Sequence, residues 1–100
     1  MDAIYVFKAL SNEARLRILD LLKDPKAHFH HESGVDMASV GVCVGEIQRV
    51  TRLTQSSVSL YLNQLERAGL LVSTRIGKWT YYRRDPEAIA RIAAYIRDQL

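Results

Sequence analysis

Cysteine is almost absent from this chain. A single thiol, Cys43, occurs in 100 residues, which excludes an internal disulfide and fits a reducing compartment. No apolar run approaches the about 20 residues that span a bilayer, and no basic-then-apolar leader opens the chain. We therefore expect a cytoplasmic protein with no membrane partner. Internal repeats and low-complexity tracts are missing too. Ser56, Ser57 and Ser59 have no His or Asp at a spacing that would activate them, and no glycine-rich phosphate cradle is present. No catalytic residue, no cofactor and no enzyme is expected.

Acid is scarce in one place. Residues 1–46 carry five basic and seven acidic side chains, and residues 85–100 carry two and three. Residues 47–84 carry Arg49, Arg52, Arg67, Arg75, Lys78, Arg83 and Arg84 against Glu66 alone. The net charge of +3 is therefore concentrated on one segment, the electrostatic footprint expected for a polyanion partner. Apolar residues make up 48%, enough for a globular chain. The length fits one domain, residues 1–100, whose marginal stability gains from oligomerisation.

The periodicity places Met1–Leu10 in a short apolar helix. Ser11 is the expected cap of the next helix, about Asn12–Lys23. Ala14, Ile18, Leu21 and Leu22 share one side of that helix, with Leu16 and Leu19 opposite, the pattern of a central helix packed between two layers. Asp24-Pro25 ends it. Asp24–Val42 has no clear period and reads as a long loop. A short helix over Val44–Val50 and a turn at Thr51-Arg52-Leu53 follow. Thr54 then caps a long helix that stops at Gly69. Leu71–Arg75 and Trp79–Arg83 alternate as a hairpin around Ile76-Gly77-Lys78. Asp85 and Pro86 start a last helix with an apolar stripe of Ile89, Ile92, Ala93, Ile96 and Leu100.

The expected fold is thus mainly α with one β hairpin: four helices, two strands, one helix. Helix, short turn, helix and hairpin in that order is a winged helix-turn-helix, with residues 44–68 as the helix-turn-helix and 71–84 as the wing.

On a helical wheel with Val58 at zero, Tyr61, Leu62, Leu65 and Ala68 fall within about 280° to 40°, one apolar face. Ser56, Ser59, Leu60, Asn63, Gln64 and Arg67 face away, with no acid among them. Small Ser and Gln side chains allow close approach and supply donors and acceptors for base edges and phosphates. Free N–H groups at a helix start favour a phosphate. The candidate DNA-binding set is Thr54, Gln55, Ser56, Ser57, Ser59, Leu60 and Asn63, with Arg75 and Lys78 on the hairpin. Leu60 is a contact to a thymine methyl, a singly exposed leucine, or a contact to another part of the chain. Trp79, Tyr81 and Tyr82 read as core residues, with Trp79 and Tyr81 on one side.

Four stretches resemble the ArsR/SmtB family of bacterial winged-helix repressors: FKALSNEARLRILDLL, VCVGEI, LTQSSVSLYLNQLERAGLL and RIGKWTYYRR. The resemblance implies a homodimer joined by the first and last helices, residues 1–10 and 86–100, that binds a pseudo-palindromic double-stranded DNA operator. Apolar Ile4, Phe7, Ile89, Ile92, Ile96 and Leu100 fit that interface, since so small a domain cannot cover both terminal helices. The family's departures here are specific. Leu60 and Tyr61 stand where members often carry His, and Arg52 replaces a turn glycine. Cys43-Val44-Gly45 lacks the second thiol of a Cys-x-Cys metal site. The last helix has Asp85, Glu87 and Asp98 but no His.

Both usual metal sites are therefore incomplete, and no metal is expected. His28, His30 and His31, near Glu32 and Asp36, are the one ligand-rich cluster. They support an alternative metal-responsive reading. Cys43 is either a small buried hydrophobe or a redox sensor with its thiol near a helix start. The expectation is a repressor released by a non-metal or redox signal. A winged helix that binds protein rather than DNA is the other reading. The inducer and the operator sequence are not legible.

Overall fold

The computed structural model describes residues 2–30 and 34–100. Among them the helices are α1 (Ala3–Leu10), α2 (Glu13–Lys23), α3 (Pro25–His28), α4 (Val44–Thr51), α5 (Gln55–Arg67) and α6 (Pro86–Gln99). The strands are β1 (Val42–Cys43), β2 (Leu71–Ile76) and β3 (Trp79–Arg84).

Four helix starts follow from side-chain caps. The side chains of Asp2, Asn12, Thr54 and Asp85 accept hydrogen bonds from the first-turn N–H groups of α1, α2, α5 and α6. The cap of α2 is Asn12, not the expected Ser11, which instead closes α1. α5 ends at Gly69, whose φ of +80° suits a residue without Cβ.

The long middle loop is more structured than its sequence suggests. Pro25 opens the one-turn α3, because its missing N–H would be unpaired at a helix start anyway. Further on, Asp36 accepts hydrogen bonds from Ala38 N (3.1 Å) and Ser39 Oγ (3.0 Å), an Asx-type turn. The segment then enters the sheet as β1. The sheet therefore has three antiparallel strands in the order β1-β3-β2, with Val42 opposite Tyr82 and Cys43 opposite Tyr81. A two-residue strand has no readable alternation, which is why the sequence shows only a hairpin. The hairpin turn is Gly77-Lys78, since Ile76 pairs with Trp79.

The core runs through the molecule from α2 to α5. Ile18, Ile47, Val58, Leu62, Leu65 and Leu70 have no measurable exposure, and full burial of such a side chain contributes about 1.5–3 kcal/mol. α2 is less central than its pattern implies. Ile18, Leu19 and Leu22 are buried, but Leu16 is 45% exposed, because one flank of the helix is left uncovered. The whole is a winged helix-turn-helix: α4 packs on α5, α5 packs on α2, and β2–β3 lie beside α5. Among the described residues, no helix is long and apolar enough to cross a membrane.

Candidate nucleic-acid interface

The turn between α4 and α5 is built from both sides. Thr51 is buried and its Oγ1 donates to Ile47 O at 2.7 Å. From α2, Arg17 reaches the last carbonyls of α4, Thr51 O at 3.4 Å and Val50 O at 3.5 Å. The chain reverses at Arg52, in the left-handed region at φ 60°, ψ 20°. For a side chain with Cβ that conformation costs about 1–2 kcal/mol.

α5 divides sharply between its two sides. Val58, Leu62 and Leu65 lie at zero exposure, while Gln55, Ser56, Ser59, Leu60, Asn63 and Arg67 are exposed. No acid occupies its first turn, so the positive end of the helix dipole is left uncompensated by the protein. The Thr54 hydroxyl is engaged in the cap, accepting from Ser57 N at 3.2 Å and donating to Ser57 Oγ at 2.9 Å. Ser57 is half-buried against it. Leu60, 54% exposed, interrupts an otherwise polar surface. Gln64, placed on the outer face by the wheel, is half-buried and accepts from Arg15 Nη1 at 2.7 Å.

At the wing tip, Arg75, Ile76, Gly77, Lys78 and Trp79 are all exposed. Arg75 Nε donates to Gly77 O at 3.1 Å, and Lys78 Nζ lies 5.7 Å from the centre of the Trp79 ring. Trp79 is thus not a core residue as its alternation suggests. It does share a side with the buried Tyr81, but the hairpin tip runs past the edge of the core and leaves the indole 56% exposed. Two of the segment's cations are also engaged by the protein itself. Arg84 Nη1 donates to Leu19 O at 3.0 Å, and Arg49 pairs with Glu46 at 2.7 Å.

Glu46 ties the middle segment to α4. It is nearly buried, and its carboxylate accepts from Arg49 and from the backbone N–H of His30 at 2.7 Å. The Arg49 guanidinium holds this carboxyl below its usual range, against the upward push of burial, and the His30 N–H adds to the lowering.

His28 and His30 are both exposed, and His31 and Glu32 lie outside the described residues. Among the described residues, no group of three His, Cys, Asp or Glu side chains is placed to hold a metal. Cys43 is half-buried at the start of α4 and lines a pocket of about 160 Å³ with Met37, Tyr81 and Trp79.

A second open surface belongs to the terminal helices. α1 packs on α6, with the Phe7 and Tyr95 rings 6.0 Å apart. Ile4 is 64%, Ile96 49% and Leu100 81% exposed, and Phe7 and Ile89 are half-buried. Ile92 differs from the expected interface set. At 5% exposure it is part of the protomer's own core with Ala88, because α6 carries two adjacent apolar stripes that a single-stripe reading merges.

The family model described as "Bacterial regulatory protein, arsR family" matches residues 42–73, from β1 through α4 and α5 into β2. The uncharacterized HTH-type transcriptional regulator YbzH of Bacillus subtilis is 51% identical over the full length of both chains. The arsenical resistance operon repressor of Escherichia coli is 32% identical over 93% of this chain and 68% of that one. Among solved structures, the homodimeric winged helix-turn-helix DNA-binding domain Mb0332 of Mycobacterium bovis, described as a possible ArsR-family regulator, matches with a TM-score of 0.67. Its identity is 32%, over 96% of this chain and 76% of that one.

Proposed function

The chain belongs to the ArsR family of bacterial regulatory proteins and is a transcription regulator, not an enzyme; from that premise we propose that it is a homodimeric repressor that binds a pseudo-palindromic operator. In this reading α5 enters the major groove, with Gln55, Ser56, Ser59, Leu60 and Asn63 on base edges and phosphates. Thr54 and Ser57 shape the start of that helix. Arg75 and Lys78 grip the flanking backbone. Ile4, Phe7, Ile89, Ile96 and Leu100 join two protomers, and the two α5 helices meet half-sites about one helical turn apart.

The observation that carries the reading is the outer face of α5. It is exposed, free of acid and rich in short polar side chains, directly opposite a stripe that is wholly buried. The homodimeric M. bovis domain and the E. coli repressor support pairing and repression. A release signal other than a metal is favoured by the single thiol and by the scattered, exposed His28 and His30. Cys43 is the candidate for a redox signal.

A gel shift with the DNA upstream of the protein's own gene tests this. We expect a shift at micromolar protein or below, unaffected by stoichiometric zinc, nickel or cobalt. A folded dimer that gives no shift would instead favour a winged helix serving a protein partner through Leu60 and the wing. Release of DNA by metal, abolished by His28→Ala, would overturn the non-metal signal.

A further inference from the structure

Arg15 belongs to neither open surface, yet it touches the helices of both. An α-helix leaves its last carbonyls without partners and carries negative charge at that end. Arg15, on α2, covers this end of α1: Nε donates to Ala9 O at 2.6 Å and Nη2 to Lys8 O at 3.1 Å. Its remaining terminal nitrogen, Nη1, donates to Gln64 Oε1 of α5 at 2.7 Å. The guanidinium carbon lies 5.7 Å from the ring centre of Tyr61, one turn earlier on α5. Arg15 itself is held in place, since its backbone N–H is capped by Asn12 Oδ1 at 3.0 Å.

α1 packs chiefly on α2 and α6. One planar group therefore bridges the end of the α1–α6 unit and the edge of the exposed face of α5. A rigid fork of N–H donors can serve three acceptors in fixed directions; an ammonium cannot hold the same set.

We propose that Arg15 is a positioning residue that couples pairing through α1 and α6 to the presentation of α5, so that dimer formation and operator binding strengthen each other through it. This rests on the reading above, in which α5 meets DNA and the terminal helices pair. Linkage is reciprocal: whatever fixes α1 against a partner protomer also fixes Gln64 and Tyr61, and DNA held on α5 fixes α1.

The test measures the monomer–dimer equilibrium by sedimentation, with and without a duplex carrying one half-site. In the native protein the duplex should tighten the dimer about tenfold, within the usual range of such couplings. In Arg15→Lys the tightening should fall below about twofold and operator affinity should drop about tenfold. The slope of affinity against salt should stay unchanged, because no phosphate contact is lost. Gln64→Ala should give a smaller loss of the same kind. The double variant should be no weaker than Arg15→Lys alone, as expected for two residues acting as one unit. Additive losses, or a full tenfold tightening retained in both single variants, would overturn the proposal. So would a salt slope reduced by about one in Arg15→Lys, the mark of a direct phosphate contact. A native dimer that binds no operator would instead remove the DNA-binding reading beneath it.

Discussion

α5 and α6 are helices of nearly equal length, 13 and 14 residues, and each buries one apolar stripe in the same core. They differ in the stripe beside it. On α5 that neighbour is Ser56, Ser59, Asn63 and Arg67; on α6 it is Ala93, Ile96 and Leu100. In the proposed function the first surface, already well hydrated, gains by exchanging water for a polyanion and its polar edges. The second is poorly hydrated and gains by leaving water altogether. The core-facing stripe builds the protomer in both helices. What stands beside it selects the kind of partner.

The largest test of this comparison is a charge placed on the apolar side. Ile96→Asp should weaken the dimer by a hundredfold or more, since a buried unpaired carboxylate costs at least about 3 kcal/mol. Sedimentation showing an intact dimer would move the interface elsewhere. On the polar side, Ser56→Ala or Gln55→Ala should lower discrimination between operator and unrelated DNA, by about 1–3 kcal/mol where a base contact is lost. Lys78→Ala should weaken all sequences alike and reduce the salt slope by about one. Competition binding over a salt series separates the two; identical behaviour would mean that α5 does not read bases.

Acid should separate the faces further. The carboxyl of Glu46 sits below its ordinary value of 4.5 in the folded protein, so its stabilisation is whole above that value. It is lost as pH falls through the lowered value. The α4 side should loosen first, with faster amide exchange at His30 and in α4 once the pH falls below the ordinary carboxylate range, while α1 and α6 stay protected. Glu46→Gln should lower stability by about 1–2 kcal/mol near neutral pH, read from thermal melting. The smallest effect concerns the turn. Arg52→Gly should relieve the left-handed strain and raise stability by up to about 1 kcal/mol, while removing an exposed cation beside α5 and slightly weakening DNA binding. A lower melting temperature would show that Arg52 makes a contact outweighing its strain.

Much of the fold was legible because it rests on local signals. The caps at Asn12, Thr54 and Asp85 lie within a residue of their expected places, and the wheel of α5 separates Val58, Leu62 and Leu65 from Ser56, Ser59 and Asn63 as drawn. Errors arose where a residue's surroundings lie far away in sequence. Trp79 obeys strand alternation, but alternation does not say where the core ends. Ile92 and Ile96 look alike in a helical stripe, yet one meets Ala88 and the interior while the other meets solvent. β1 exists only because β3 lies beside it.

Periodicity, caps and the distribution of charge were enough, unaided, to determine a winged helix-turn-helix with one acid-poor helix face. These are properties of residues a few positions apart, governed by backbone geometry and hydration. Only the tertiary structure decided that Arg84 is drawn inward, to Leu19 O, 65 positions away. It alone brought Arg15 to Gln64, 49 positions away. Hydrogen bonds act over about 3 Å, and which groups come that close is settled by packing, not by their order along the chain.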